Sequence, residues 1–525
     1  MTWTRRFWKA HWTLAVWVLA AACGKSLPVE EPVIPPLRIA MAEPASVDPA
    51  YLQNAQDFQI AGNLFEGLYR WDGTKGQVVP CLAAAHLASE DGLVWTFSII
   101  PTARFSDGTP ITARHIEMSW RRILAPANAS PGADALLFLK GARRHIQDGT
   151  SPVGVHSPDA TTLVIELETP QPHLLEMLAS PRLAPALVPR DAREDQSRTG
   201  TIRGSGPFVL ERWTPGESAV LAPNALYLPP PPAEVHLRFT GSEDNAMDLF
   251  KGGQVDLVLG LVPLSKVHDI QREDPGTVVI RPRRSMFYLL FNTTRPPFHR
   301  AELRRTLAKA VDRVRLAEQV LMAGQKPAQG FLPASYLEIP EAHPLVCPEL
   351  PDVPVSAPSG LLAELDGMEL LCNESETLKS VMEFLQAGFK QYGGVSLGLS
   401  LFEWNSYYEF LKQGDFALAR MSYTSGSDPL DLLMNFTTDH PNNLGRYSNP
   451  EYDGKVEELK RVPRLEDRLP LLMEAHSLLC ADMPAIPVYI SSQVTLVVSE
   501  RRSRFRPDPE GNFRMEELWP GRGQK

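Results

Sequence analysis

The side chains best suited to chemistry fall between residues 397 and 453, in LGLSLFEWNSYYEFLKQGDFALARMSYTSGSDPLDLLMNFTTDHPNNLGRYSNPEYD. Trp404 offers a flat apolar face, Arg420 a planar cation with a fork of donors, and Tyr423 a ring with a polar tip. At a strand–loop junction these types suit the wall of a ligand groove. They also suit a simpler arrangement, with the aromatics in a core and Arg420 on the surface. No catalytic constellation accompanies them: the chain lacks a G-x-S-x-G elbow, an H-E-x-x-H pair and a Walker sequence. His343, His440 and His476 are isolated in sequence and read as surface or satisfied core histidines. The five cysteines, Cys23, Cys81, Cys347, Cys372 and Cys480, are far apart and show no metal-ligand spacing. Cys347 and Cys372 are one candidate pair for a bridge. The expectation is binding without catalysis, with no cofactor and no metal.

The local pattern says what must position these groups. Leu397, Leu399 and Leu401 alternate as in a strand, and Trp404 opens a helix with Tyr407, Tyr408 and Leu411 on one face. Gly414 ends that helix. A second strand, Phe416 to Tyr423, feeds a turn-rich segment from Thr424 to Pro429. Upstream, the run from Met368 reads strand, helix, Gly-Gly turn, strand, for which a right-handed βαβ crossover is the natural topology. A helix near 451–461 follows, then another helix and a late strand that is able to return across a domain boundary to an earlier sheet. Residues 285–298 read as an apolar strand leaving through Pro296-Pro297. The segment 300–321 is periodic as one helix, with its arginines and acids facing water. Residues 332–360 are Pro-rich and loop-like.

The first half reads as mixed α+β. Leu37 to Ala42 is strand-like. Phe58 to Tyr69 has helical spacing with Leu64, Phe65 and Leu68 toward a core; Glu66 is either a groove residue or a solvated or capping carboxylate. Within 75–190, Asp107-Gly108 marks a turn, Thr112 caps a helix, and Phe105, Ile111 and Trp120 read as core. Residues 191–203 are polar and aperiodic, as at a boundary. Gly204 and Gly206 suit turn geometry, and Gly252-Gly253 stops a helix.

With 525 residues the chain exceeds one core. A composition of 43% hydrophobic and 22% charged residues excludes general disorder, and 48 prolines favour short elements over long helices. A net charge of −10 disfavours nucleic acid as a partner. Residues 1–22 have a basic start (Arg5, Arg6, Lys9) and a short apolar core, the pattern of a secretory signal peptide. Cys23 follows small residues as in a bacterial lipobox, although Ala20 stands where leucine is usual. Lipidation of Cys23 would anchor the chain at the membrane, with 23–36 as a Pro-rich tether.

The segments AEPASVDPAY, NLFEGLY, VVPCLAAAHLASEDGLVWTFSI, ARFSDGTPITARHIEMSWRR, GSGPFVLERW, GGQVDLVLG, FYLLFNTTRPPFHRAELRRTLAKAVDR, EWNSYYEFLKQGDFALAR and DPLDLLMNF…NNLGRYSNPEYD run in an order that resembles the extracellular oligopeptide/dipeptide-binding subunits of bacterial ABC importers (solute-binding protein family 5). The resemblance spans roughly residues 36–500. It implies an α/β, two-lobed periplasmic-binding-protein (Venus flytrap) fold with an additional α+β domain. In that scheme 37–74 and 191–284 form lobe I, 75–190 the additional domain, 285–485 the distal lobe, and 486–525 the return to lobe I and a C-terminal tail. It further implies a monomeric, extracytoplasmic receptor, membrane-anchored through its N-terminal lipid in the periplasm or on the outer face. Such a receptor delivers peptide from an interlobe cleft to ABC permease subunits. Trp404 matches a tryptophan lining a side-chain pocket, Arg420 an arginine near the ligand's far end that can pair with a carboxylate, and Tyr423 a pocket aromatic. Ser425 stands where the relatives hold the peptide ammonium with an aspartate. Asp428, the nearest carboxylate, either reaches the amine or caps the helix near Leu430. The departure at Ser425 leaves a blocked or modified peptide, another small solute, or a transport-independent sensor or adaptor role as alternatives.

Overall fold

The computed structural model describes residues 34–189, 195–198, 200–333, 345–425, 428–462 and 465–520. The expected signal peptide, Cys23 and most of the tether lie outside these residues.

Two long strands organise the chain. Val278–Phe291 and Ala485–Val497 have 14 and 13 residues, each long enough to run about 40 Å. They pair antiparallel along most of their length, with a shift in register between Pro282 and Met286. Proline cannot donate to a ladder, so the break falls where the sequence supplies one. Toward one end, Ser285–Phe291 pairs with Leu418–Thr424. Toward the other, Thr495–Val497 pairs with Leu257–Leu259. The two strands therefore carry one 11-stranded sheet through two lobes.

In the first lobe, Leu37–Met41 lies parallel between Val235–Phe239 and Leu257–Leu259. Its alternate faces feed two clusters, one with Leu37, Ile39, Phe208 and Trp519, the other with Ala40, Met247, Val258 and Leu496. In the distal lobe, Glu369–Asn373 is parallel to both Gly398–Phe402 and Leu418–Thr424, with the helix Glu376–Gly388 as the crossover. The expected βαβ unit is present. The additional α+β unit is a four-stranded sheet within Ala83–Glu166 covered by the helix Ala113–Leu124. Thr112 caps that helix in a reciprocal bond with His115, and buried Trp120 donates its indole N–H to the Leu183 carbonyl at 2.9 Å.

Five expectations are corrected. The 300–321 segment is not one helix: Ala301–Lys309 stops, Asp312 caps a new turn through the Arg315 N–H, and Leu316–Leu321 continues as a wide π turn. Its arginines are not all wet. Arg304 donates to the carbonyls of Phe298, Asp482 and Met483, and Arg313 to those of Ala308, Val311 and Pro487. Burial lowers Arg304 to about 10 and Arg313 to about 9, and carbonyl acceptors rather than water satisfy both forks. The helix expected from Phe58 to Tyr69 runs Ala55–Leu64 and gives way to extended chain at Phe65, because Glu66 turns inward to a buried ion pair with Arg514 at 2.6 Å. Gly204 and Gly206 are needed for proximity rather than turn geometry: a Cβ on Gly206 would stand 2.6 Å from the Asn63 carbonyl oxygen. Finally, Cys347 bonds Cys480, and Cys372 is a buried free thiol. Cys347 meets Cys480 on the helix Leu465–Asp482, whereas Cys372 lies on the strand Glu369–Asn373.

Candidate functional site

The parallel strands Glu369–Asn373, Gly398–Phe402 and Leu418–Thr424 end on one edge of the distal-lobe sheet, and ligands of open α/β sheets bind outside such carboxyl ends. Trp404 and Ser425 each lie within two residues of a strand end on that edge. Local sequence explains this placement. Glu403 separates the strand from the helix Trp404–Gln413, and Tyr407 and Leu411 bury the helix's inner face. Trp404 itself is 44% exposed and stacks on Tyr408, ring centroids 5.7 Å apart.

Arg420 is half-buried. Its guanidinium lies 5.6 Å from the Phe287 ring, and its Nε has no hydrogen-bond partner. The register that sets Leu371 beside Ala419 brings Cys372 level with Arg420. Burial lifts the Cys372 thiol to about 11, and the Arg420 charge opposes the shift. Next along the strand, the Asn373 Oδ1 is also buried without a partner. The Ser425 Oγ is a third such atom: the residue is 3% exposed, and its backbone N–H donates to the Arg284 carbonyl at 2.9 Å. Unpaired buried polar atoms are rare and costly, and these three lie on, or one residue beyond, strands that end at this edge.

The other expected site residues have different surroundings. The Tyr423 ring is buried against Tyr288 and Phe436, and its hydroxyl donates to the Asn442 carbonyl at 2.6 Å. It builds the distal core behind the wall. Asp428 accepts the Leu430 N–H at 2.8 Å and pairs with buried Arg468 at 2.5 Å. Its carboxylate therefore serves the helix start and a buried cation. Asn373 was missed in the sequence, where a lone asparagine at a strand end carries no signal.

His476 is not isolated in space. Its Nε2 accepts the Phe331 N–H at 3.1 Å, and both bridged sulfurs lie within 3.9 Å. Burial lowers its pKa to about 4. Cys347, His476 and Cys480 form the one cluster of metal-ligand type among the described residues. The disulfide occupies both sulfurs, so no thiolate is left to ligate.

At the base of the wall, Arg284 lies 3.6 Å from Glu176 of the additional unit and 3.5 Å from Glu510 of the C-terminal segment. The wall is thus tied to the crossing strand and, through it, to the rest of the molecule.

Two crossing strands carry one sheet through both lobes, and polar atoms without partners lie at or near one strand-end edge of the distal lobe. Residues 77–443 match the model of the bacterial extracellular solute-binding proteins, family 5 middle region, and the chain belongs to that family. Its fold is the two-lobed α/β fold of the periplasmic peptide-binding proteins with an additional α+β domain. The periplasmic murein peptide-binding protein MppA of Escherichia coli is 28% identical over 465 residues, covering 85% of this chain and 86% of that protein. The probable deoxycholate-binding periplasmic protein YgiS of Escherichia coli is 28% identical over 486 residues, covering 87% and 88%. The structure of the Escherichia coli murein tripeptide binding protein MppA aligns with a TM-score of 0.73 at 26% identity, over 92% of this chain and 96% of that one. The family consists of substrate-binding proteins rather than enzymes. Among the described residues no helix is long and apolar enough to cross a membrane.

Proposed function

We propose that this protein is an extracytoplasmic receptor that captures a peptide between its lobes and delivers it to an ABC permease. The observation that carries the reading is the family match over residues 77–443, supported by exposed Trp404 at the strand-end edge and by the unpaired polar atoms of Asn373, Arg420 and Ser425 on or next to the strands that end there. An extended peptide supplies alternating donors and acceptors for such atoms, and its side chains occupy adaptable pockets. In this assignment Trp404 receives a side chain and Arg420 pairs with a carboxylate or carbonyl of the cargo. Ser425 meets the amino end. Tyr423 supports the wall from behind. Asp428 is already neutralised by Arg468 and leaves the amine to Ser425. A hydroxyl there favours a cargo whose amino end is blocked or modified over one with a free ammonium. Residues 1–22 and Cys23 are assigned to export and lipid anchoring, which would hold the receptor beside its permease.

Native mass spectrometry of the protein purified with its cargo tests this reading. A co-purified peptide, lost in Arg420→Ala, is the expected result. A sterol-like or other non-peptide mass would replace peptide by another solute, and turnover of the bound molecule would replace reception by catalysis.

A further inference from the structure

The two crossing strands are irregular at one place. Arg281 faces Gln493 and Pro282 faces Ser492, but the next pair is Met286 with Ile490. Three residues, Arg283, Arg284 and Ser285, therefore stand opposite Ser491 alone. A ladder interrupted in this way lacks the hydrogen bonds that would keep it straight, and bulged strands bend at the interruption. The C-terminal turn at 507–512 lies across this break. Its root is in the first lobe, where the Gln59 side chain donates to the Phe513 carbonyl and accepts the Phe513 N–H, each at 3.0 Å. The turn is closed on itself: the Asp508 N–H donates to the Asn512 carbonyl at 2.7 Å, and the Asn512 N–H to the Asp508 carboxylate at 2.7 Å. It rests on both strands at a regular rung just before the break. The Pro507 carbonyl accepts from Arg281 at 3.5 Å. Gly511, at φ +95°, comes so near Gln493 that a Cβ would overlap the Gln493 amide. Within the break, Glu510 lies 3.5 Å from Arg284. The same guanidinium nitrogen is 3.6 Å from Glu176 of the additional unit, and the Arg284 carbonyl accepts the Ser425 N–H of the distal lobe.

We propose that the 507–512 turn is a splint across the hinge, rooted in the first lobe, braced on Arg281 and Gln493, and setting the resting angle between the lobes through the Glu510–Arg284 pair. Bending at 283–285 moves Arg284 relative to a turn that its own hydrogen bonds keep from following. The lobe angle that brings Glu510 nearest Arg284 is therefore favoured in the empty protein. A partly exposed ion pair is a weak bias, so cargo that engages both lobes can overcome it.

The test reads the distance between the lobes in cargo-free protein by energy transfer between dyes on non-natural residues at Met118 and Met473. These are exposed positions on the helices Ala113–Leu124 and Leu465–Asp482, one in the additional unit and one in the distal lobe. Glu510→Gln is expected to displace or widen the distribution of transfer efficiencies. A parent-like distribution, with or without a lower melting temperature, would reduce the turn to a stabilising contact and overturn the proposal. In an Arg284→Gln background, Glu510→Gln should add nothing, because the pair is already gone. An undiminished effect there would place the action of Glu510 elsewhere and equally overturn it. Should Arg284→Gln fail to fold, added salt replaces it, since ionic strength screens a partly exposed pair. The parent distribution should then move toward that of Glu510→Gln, and a parent insensitive to salt is decisive against. No cargo is present, so these outcomes stand apart from what the receptor binds.

Discussion

Trp404 presents nearly half of its surface to solvent while stacked on Tyr408, so its free face is open to contact from an incoming group. Trp404→Ala is expected to weaken cargo binding about tenfold, about 1.4 kcal/mol, with the circular dichroism unchanged. Equal affinity in mutant and parent would remove Trp404 from the pocket. Ser425 poses a sharper test because its buried hydroxyl lacks a partner. A charge placed there is costly until a cation arrives. Ser425→Asp should raise the preference for free-amine over acetylated peptides by tenfold or more; an unaltered preference would place the amino end elsewhere. His476 supplies a pH response. Its folded pKa is about 4 against an ordinary value of 6.5. Between those values the unfolded chain binds more protons, so stability is full above about pH 6.5 and falls with acidification. The loss reaches at most about 1.4 kcal/mol per pH unit. His476→Gln retains an acceptor for the Phe331 N–H and should flatten the melting temperature between about pH 7 and about pH 5. A parent-like slope in that variant would assign the acid sensitivity to other groups.

At the scale of elements, the disulfide fastens the loop around Cys347 to the long helix Leu465–Asp482 across a sequence separation of 133. Closing so large a loop restricts the unfolded chain by about 3–5 kcal/mol in the chain-entropy account. The double substitution Cys347→Ser, Cys480→Ser should lower the denaturant midpoint accordingly while leaving cargo affinity unchanged, since neither sulfur lies on the wall. An unmoved midpoint would show that the bridge adds nothing. The same helix's end supplies the carbonyls of Asp482 and Met483 that hold Arg304, so a turn end and a buried cation satisfy each other.

For the whole molecule, two crossing strands are the connection about which the lobes can approach. Arg284 sits on one of them between Glu176 and Glu510, whose ion-pair distances of 3.6 and 3.5 Å are longer than direct charge-assisted bonds. A change of lobe angle would alter these two ion-pair distances. Cargo that engages both lobes should shift the population toward a closed form. Small-angle scattering is expected to report a smaller radius of gyration on addition of the co-purified cargo. An identical scattering curve would mean capture without closure.

Much of the architecture is short-range and was legible in the residues themselves. Alternation at 397–401, the spacing of Tyr407 and Leu411, the Thr112 cap and the glycine stops at Gly253 and Gly414 each act within a few positions, and each appears where the pattern puts it. The ordered family segments added the two-lobed plan. Of the candidate site, Trp404 lies exposed just beyond the strand Gly398–Phe402, while the unpaired Asn373 gave no sign of itself in sequence. Other features depend on partners distant in sequence. Glu66 meets Arg514 across 448 residues, Cys347 meets Cys480 across 133, and Tyr423 disappears behind Phe436. The sequence alone determined which segments become strands and helices, because backbone preference and side-chain periodicity are local. Only the tertiary structure decided which charges are buried, which cysteines pair and which aromatic stays exposed, because each of those is settled by what the packed neighbours leave for water or ligand to reach.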